Sequence, residues 1–201
     1  MRARLKSATN EAHERMHAHP GFAAAAAGTI GAEAYRDLLA RLYGFHAAFE
    51  DRMQAAPGAF AKAIELPARA RAGLIVEDLL ALGAARETID TLPRCQALPP
   101  LRGEGDRLGA LYVVEGSTLG GAFIAKALAG SGVNARRFFA GRGAGHGRLW
   151  RNLVQALDRL DDIPEEADVA ERAALSTFAA FERWMADWEG AYAKAEDEAI
   201  A

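Results

Sequence analysis

The 201-residue sequence has a single cysteine, Cys95. One thiol excludes an intrachain disulfide and any multi-cysteine metal site, and it suits a reducing compartment, so the expected setting is the cytoplasm. No charge of one sign dominates. The net charge of -3 argues against a nucleic-acid binder while leaving room for a local basic patch. The opening MRARLKSATNEAHERMH is too polar for a signal peptide, and no apolar run approaches the ~18 residues of a membrane helix, so no membrane association is expected. Period-2 alternation of convincing length is lacking, as is any internal repeat, which leaves little for strands to claim. Several chemical motifs are missing too. There is no HExxH and no flavin or nicotinamide signature, and GRGAGHG at 141–147 lacks the preceding strand and the lysine-serine/threonine ending of a phosphate loop.

What is present is an ordinary globular composition, 51% hydrophobic and 25% charged, in a chain long enough to bury a core. Leu5, Ala8, Ala12 and Met16 share one stripe of a helix over about Arg4 to His17, closed by Pro20 and Gly21. The short poly-alanine run Ala23 to Ala27 is helix-compatible. Tyr35, Leu38, Leu39, Leu42, Tyr43, Phe45, His46 and Phe49 predict a second helix over Ala34 to Ala55, and a third runs from Pro67 to Gly83. A proline-rich link spans Leu92 to Pro100. Helix resumes near Gly105 and continues to about Gly130, interrupted at a glycine cluster, and RGAGHG at 142–147 reads as a loop. Two further helices are expected over Arg148 to Leu160 and Glu165 to Ala195. The expected architecture is all-α, a single domain over 1–201.

The cluster sits in LYVVEGSTLGG, residues 111 to 121. Each glycine in a helix interior costs roughly 1 kcal/mol relative to alanine, so Gly116, Gly120 and Gly121 together give up about 3 kcal/mol. Close helix packing or a helix end would explain them. So would a pocket that needs bare backbone, because glycines at i and i+4 leave a strip about 6 Å long. Spacing does not separate these readings. Among the histidines, His13 and His17 stand four apart on one face, but zinc needs three or four ligands and nothing supplies the rest. His17 and His19 are expected at the surface and His46 in the core. One histidine suffices for iron that arrives inside a porphyrin, whose macrocycle fills four positions.

With His13 and the glycine run both in view, the chain resembles a heme oxygenase. LKSATNEAH, Leu5 to His13, is similar to the family's proximal-helix motif, and EGSTLGG, Glu115 to Gly121, resembles the distal-helix signature in its bacterial, biliverdin-producing form. ARLYGFHAAFED, Ala40 to Asp51, resembles the second helix, and GRLWRNLVQAL, Gly147 to Leu157, the late helix before the last. The resemblance therefore covers most of the chain. It implies a helical bundle with heme held between a proximal helix and a glycine-kinked distal helix, with His13 as the ligand to heme iron. Gly116, Gly120 and Gly121 would crowd the iron-bound oxygen with backbone, while Ser117 and Thr118 hold ordered water. Many animal members carry an aspartate where Ser117 stands. Lys6, Tyr112 and Arg151 match positions near the heme propionates, where cations and hydrogen-bond donors meet two carboxylates at the pocket mouth. Phe178 and Phe181 are candidates for the apolar wall, although aromatics at helical spacing also read as plain core.

The family reaction uses heme as substrate and cofactor, opening it at a meso carbon with oxygen and reducing equivalents to give biliverdin, carbon monoxide and ferrous iron. A separate donor, a ferredoxin or flavoprotein reductase, is then expected, and a bilin-binding photoreceptor is one destination for the product. Two other readings stay open. The same fold could carry or sense heme without degrading it, or a helical interaction module could use the glycines for packing alone.

Overall fold

The structure, a computed structural model, describes residues 1–141, 143 and 145–200. Among the described residues there are eleven α-helices and no strand. In chain order they are α1 (Arg2–His17), α2 (Pro20–Ala27), α3 (Ala32–Gln54), α4 (Gly58–Ala63), α5 (Ala72–Ala81), α6 (Arg86–Thr91), α7 (Glu104–Gly130), α8 (Arg137–Ala140), α9 (Gly145–Asp158), α10 (Pro164–Met185) and α11 (Ala191–Ile200), with 3-10 turns at Leu66–Arg69 and Arg159–Asp162. The all-α expectation holds, and α1 and α3 fall where their apolar periodicity predicts.

Boundaries differ where a helix start is fixed by a distant side chain. Pro20 does not merely close α1; it opens α2, where a residue without an N–H is tolerated. The helix expected from Pro67 splits into a 3-10 turn and α5, because Glu50 of α3 accepts hydrogen bonds from the N–H groups of Arg71 and Ala72 at 2.6 and 2.9 Å. Asp78 of α5 does the same for Arg137 and Phe138 at the start of α8, at 2.8 and 2.9 Å. Asp37 of α3 accepts from Gly190 and Tyr192, both at 2.8 Å, and so divides the expected 165–195 helix into α10 and α11. Orphan N–H groups at helix starts attract carboxylates wherever the fold supplies them.

α7 is the central element and packs against α10, α2, α8 and α9. Its meeting with α10 is backbone to backbone: a Cβ on Gly109 would lie 2.0 Å from the Ala170 carbonyl oxygen, so no larger residue fits. The facing positions Ala167, Ala170, Ala173 and Ala174 are all buried. Contrary to the sequence expectation, α7 contains an 18-residue window of mean hydropathy 1.4, membrane-like in length and composition, but 53% of that window is buried within the protein. The helix also runs unbroken through the glycine cluster instead of stopping there. Of the expected loop at 142–147, Arg142 and Ala144 lie outside the described residues, while Gly145, His146 and Gly147 form the first turn of α9.

Candidate functional site

α1 has two sides with different tasks. Arg4 pairs with Asp168 at 2.6 Å and with Glu171, and Arg15 pairs with Glu182 at 2.6 Å, so this edge is laced to α10. Leu5, Thr9 and Ala12 are buried beneath it. At 100° per residue the stripe Arg2, Lys6, Thr9 and His13 lies on the far side from Arg4 and Arg15. His13 is accordingly exposed, with 51% of its side-chain surface open, and Lys6 is exposed on the same stripe. Thr9 is held by its hydroxyl donating to the Leu5 carbonyl at 2.8 Å.

A second stripe, on α7, comprises Tyr112, Gly116, Gly120 and Phe123. The Tyr112 hydroxyl meets Thr9 of α1; burial pushes its pKa up, while the nearby Arg2 and the Thr9 contact pull it down. Its ring lies 5.8 Å from that of Trp150 on α9. Among the described residues, a Cβ on Gly116 would meet only Trp150, at 3.9 Å, and one on Gly120 would meet nothing within 4 Å. Phe123, one turn on, is 68% exposed, more than any other large apolar side chain of the described residues. Gly121 is different. It points about 100° away from Gly120, and its Cβ would sit 2.7 Å from the Phe139 carbonyl oxygen of α8, so packing accounts for that glycine.

Beside the stripe lies a polar flank that the sequence did not advertise. Arg69 and Glu115 are buried, and Arg69 Nη1 stands 3.2 Å from Glu115 Oε2 without in-line geometry, an ion pair more than a hydrogen bond. The guanidinium is fixed by donating Nε to the Ile64 carbonyl at 2.6 Å and Nη2 to that of Leu149 at 2.9 Å. Desolvation pushes its pKa down and Glu115 pulls it back up. One turn on from Glu115, the Thr118 hydroxyl donates to the Glu115 carbonyl at 2.6 Å and so can accept from His146, whose Nε2 and Nδ1 lie 2.6 and 3.0 Å away. Arg69, Arg71, Glu115, Thr118 and His146 line a cavity of about 250 Å³. A side chain there that lost its partner would leave the other uncompensated, at a cost of roughly 3–5 kcal/mol for the ion pair.

Of the residues singled out from sequence, the structure brings Tyr112, Gly116, Gly120 and Thr118 onto neighbouring faces of α7, with Thr9 of α1 against Tyr112. Ser117 is exposed and donates to the Val114 carbonyl at 2.7 Å, which leaves its oxygen free to accept. Arg151 is exposed on α9 beside Gly147. Phe178 is a buried core side chain, and Phe181 packs its ring edge-on against Phe45 at 4.7 Å. His46 is buried as expected. His19, expected at the surface, is half-buried: its Nε2 lies 3.0 Å from the Met185 carbonyl, and its ring packs near Phe22 and Trp188. Residues missed from sequence are Arg69, Glu115, His146 and Phe123. Phe123 alone had a usable signal, seven residues after Gly116 and therefore on its face.

His13 on α1 and the Gly116–Gly120 strip on α7 are thus both open, on two helices that meet at Thr9 and Tyr112. The family model for heme oxygenase matches residues 1–187. No curated protein matches the chain.

Proposed function

The chain belongs to the heme oxygenase family, and on that premise we propose that it opens heme at a meso carbon, with oxygen and external electrons, to give biliverdin, carbon monoxide and ferrous iron. The observation that carries the proposal is the pair Gly116 and Gly120. Both stand in the interior of an unbroken helix, where each costs roughly 1 kcal/mol against alanine, and among the described residues neither meets anything that demands its bareness. Gly109 and Gly121 have a packing reason; these two do not.

Heme fits the residues present. Tyr112, Trp150 and Phe123 offer aromatic surface along a strip free of side chains, and an exposed histidine on α1 needs no further protein ligand. Bound there, heme supplies the redox and oxygen chemistry. His13 would hold the iron. Lys6, Arg151 and the additional cation Arg2 would pair with the propionates at the mouth. The backbone at Gly116 and Gly120 would exclude bulk and leave one direction open above the ring. Ser117 and Thr118, their protons committed to their own helix, would accept hydrogen bonds from ordered water, and His146 would hold the Thr118 hydroxyl in place. Phe178 and Phe181 would back the wall behind α1. Electrons would come from a ferredoxin or flavoprotein reductase, and a bilin-binding photoreceptor is one acceptor for the product.

The test compares Gly120→Leu with Gly120→Ala under reductant and oxygen. A leucine at Gly120 should abolish biliverdin formation or heme seating, while alanine keeps a measurable rate. Equal full activity in both variants would remove α7 from the reaction. A wild-type protein that binds heme yet never turns it over is instead a carrier.

A further inference from the structure

His13 and His17 occupy one face of α1, and their Nε2 atoms stand 3.3 Å apart with rings edge-on at 4.4 Å. Two metal–nitrogen bonds of about 2.0–2.1 Å spanning that gap subtend about 107°, close to the tetrahedral angle. We propose that in the heme-free protein His13 and His17 together bind a first-row divalent cation through their Nε2 atoms, and that this cation and heme compete for His13. The competitive half rests on the heme reading; the cation site does not.

Both side chains are exposed, so a cation can enter without displacing packed atoms. Glu14 Oε1 lies 3.7 Å from His13 Nδ1, an anionic neighbour just outside the pair. In the metal-free pair one Nε2–H donates to the other Nε2. When a cation binds, that proton moves through solvent to the donor ring's own Nδ1, so both imidazoles stay neutral and no net proton is lost. Imidazole pairs suit zinc, copper, nickel and iron(II) over magnesium or calcium. No group of three or more histidine, cysteine, aspartate or glutamate side chains able to hold a metal is found among the described residues, so water completes the shell and the cation exchanges readily. The class includes ferrous iron, which the proposed reaction releases beside the same nitrogen. A single Nε2 lone pair cannot serve two metals, so heme must displace the cation to reach His13.

Titration calorimetry with zinc chloride on the heme-free wild type, His17→Ala and His17→Gln tests the site. One equivalent should bind to the wild type, and both variants should bind at least the roughly tenfold more weakly that loss of even an outer partner produces. Hemin titrations of the same three proteins, followed by absorption with and without zinc, test the competition. Zinc should weaken hemin uptake by the wild type and leave the variants unchanged. Equal zinc binding in all three, no zinc binding by the wild type, or hemin uptake indifferent to zinc would overturn the proposal. If no protein forms a heme band even without zinc, the heme reading fails, and the calorimetric difference between wild type and variants still decides the cation site.

Discussion

His13 reaches solvent on the side of α1 that α10 leaves uncovered, because Arg4 and Arg15 lace the opposite edge. An imidazole so placed is available to a ligand without any rearrangement of the core. His13→Ala should therefore lose the histidine-type heme spectrum while keeping the fold, checked by absorption and circular dichroism after hemin addition. An unchanged spectrum would hand the ligand role to another residue. At this scale the sequence marks candidates by motif, the histidine of LKSATNEAH and the glycines of EGSTLGG. The partners of Thr118 and Glu115 carry no such mark, because His146 and Arg69 lie 28 and 46 residues from them in the chain and no local pattern links them.

α7 contains adjacent glycines with opposite physical meaning. Gly120→Ala adds a methyl to open space and recovers helix propensity, so it should stabilise the heme-free protein by up to about 1 kcal/mol. Gly121→Ala puts its methyl 2.7 Å from the Phe139 carbonyl oxygen and should destabilise by about 1–3 kcal/mol. Urea denaturation of the two variants measures both. If the two shifts share a sign, the division of α7 into a bare strip and a packed face is wrong. Spacing alone could not make that division, because it reports where glycines stand and not what stands opposite. The same limit explains the misread boundaries. α1 and α3 follow their own periodicity, whereas the starts of α5, α8 and α11 depend on Glu50, Asp78 and Asp37, carboxylates far away in the chain.

The whole molecule is two apolar clusters joined across α3, α7 and α10, with a buried histidine where aromatic rings meet. His46 packs edge-on against Phe138 at 5.0 Å, and burial, reinforced by the charge of Arg71, holds its pKa well below 6.5. The folded protein keeps it neutral, while the unfolded chain protonates it as pH drops below 6.5. Its contribution is therefore complete above pH 6.5 and lost as pH falls toward the folded value, at up to about 1.4 kcal/mol per pH unit. Urea midpoints at pH 7.5 and 5.5 should fall with acid in the wild type and fall less in His46→Leu. Equal slopes would show that other groups set the acid sensitivity.

In the proposed function the bare strip of α7 and His13 of α1 together hold one heme for ring opening. The most direct measurement is an absorption titration with hemin, followed in the same cuvette by ascorbate with catalase present. A one-to-one histidine-type Soret band that gives way to the broad red absorption of biliverdin is the predicted result. Failure of any such band to form would contradict the claim, leaving His13 an ordinary surface histidine and the glycines of α7 without a ligand.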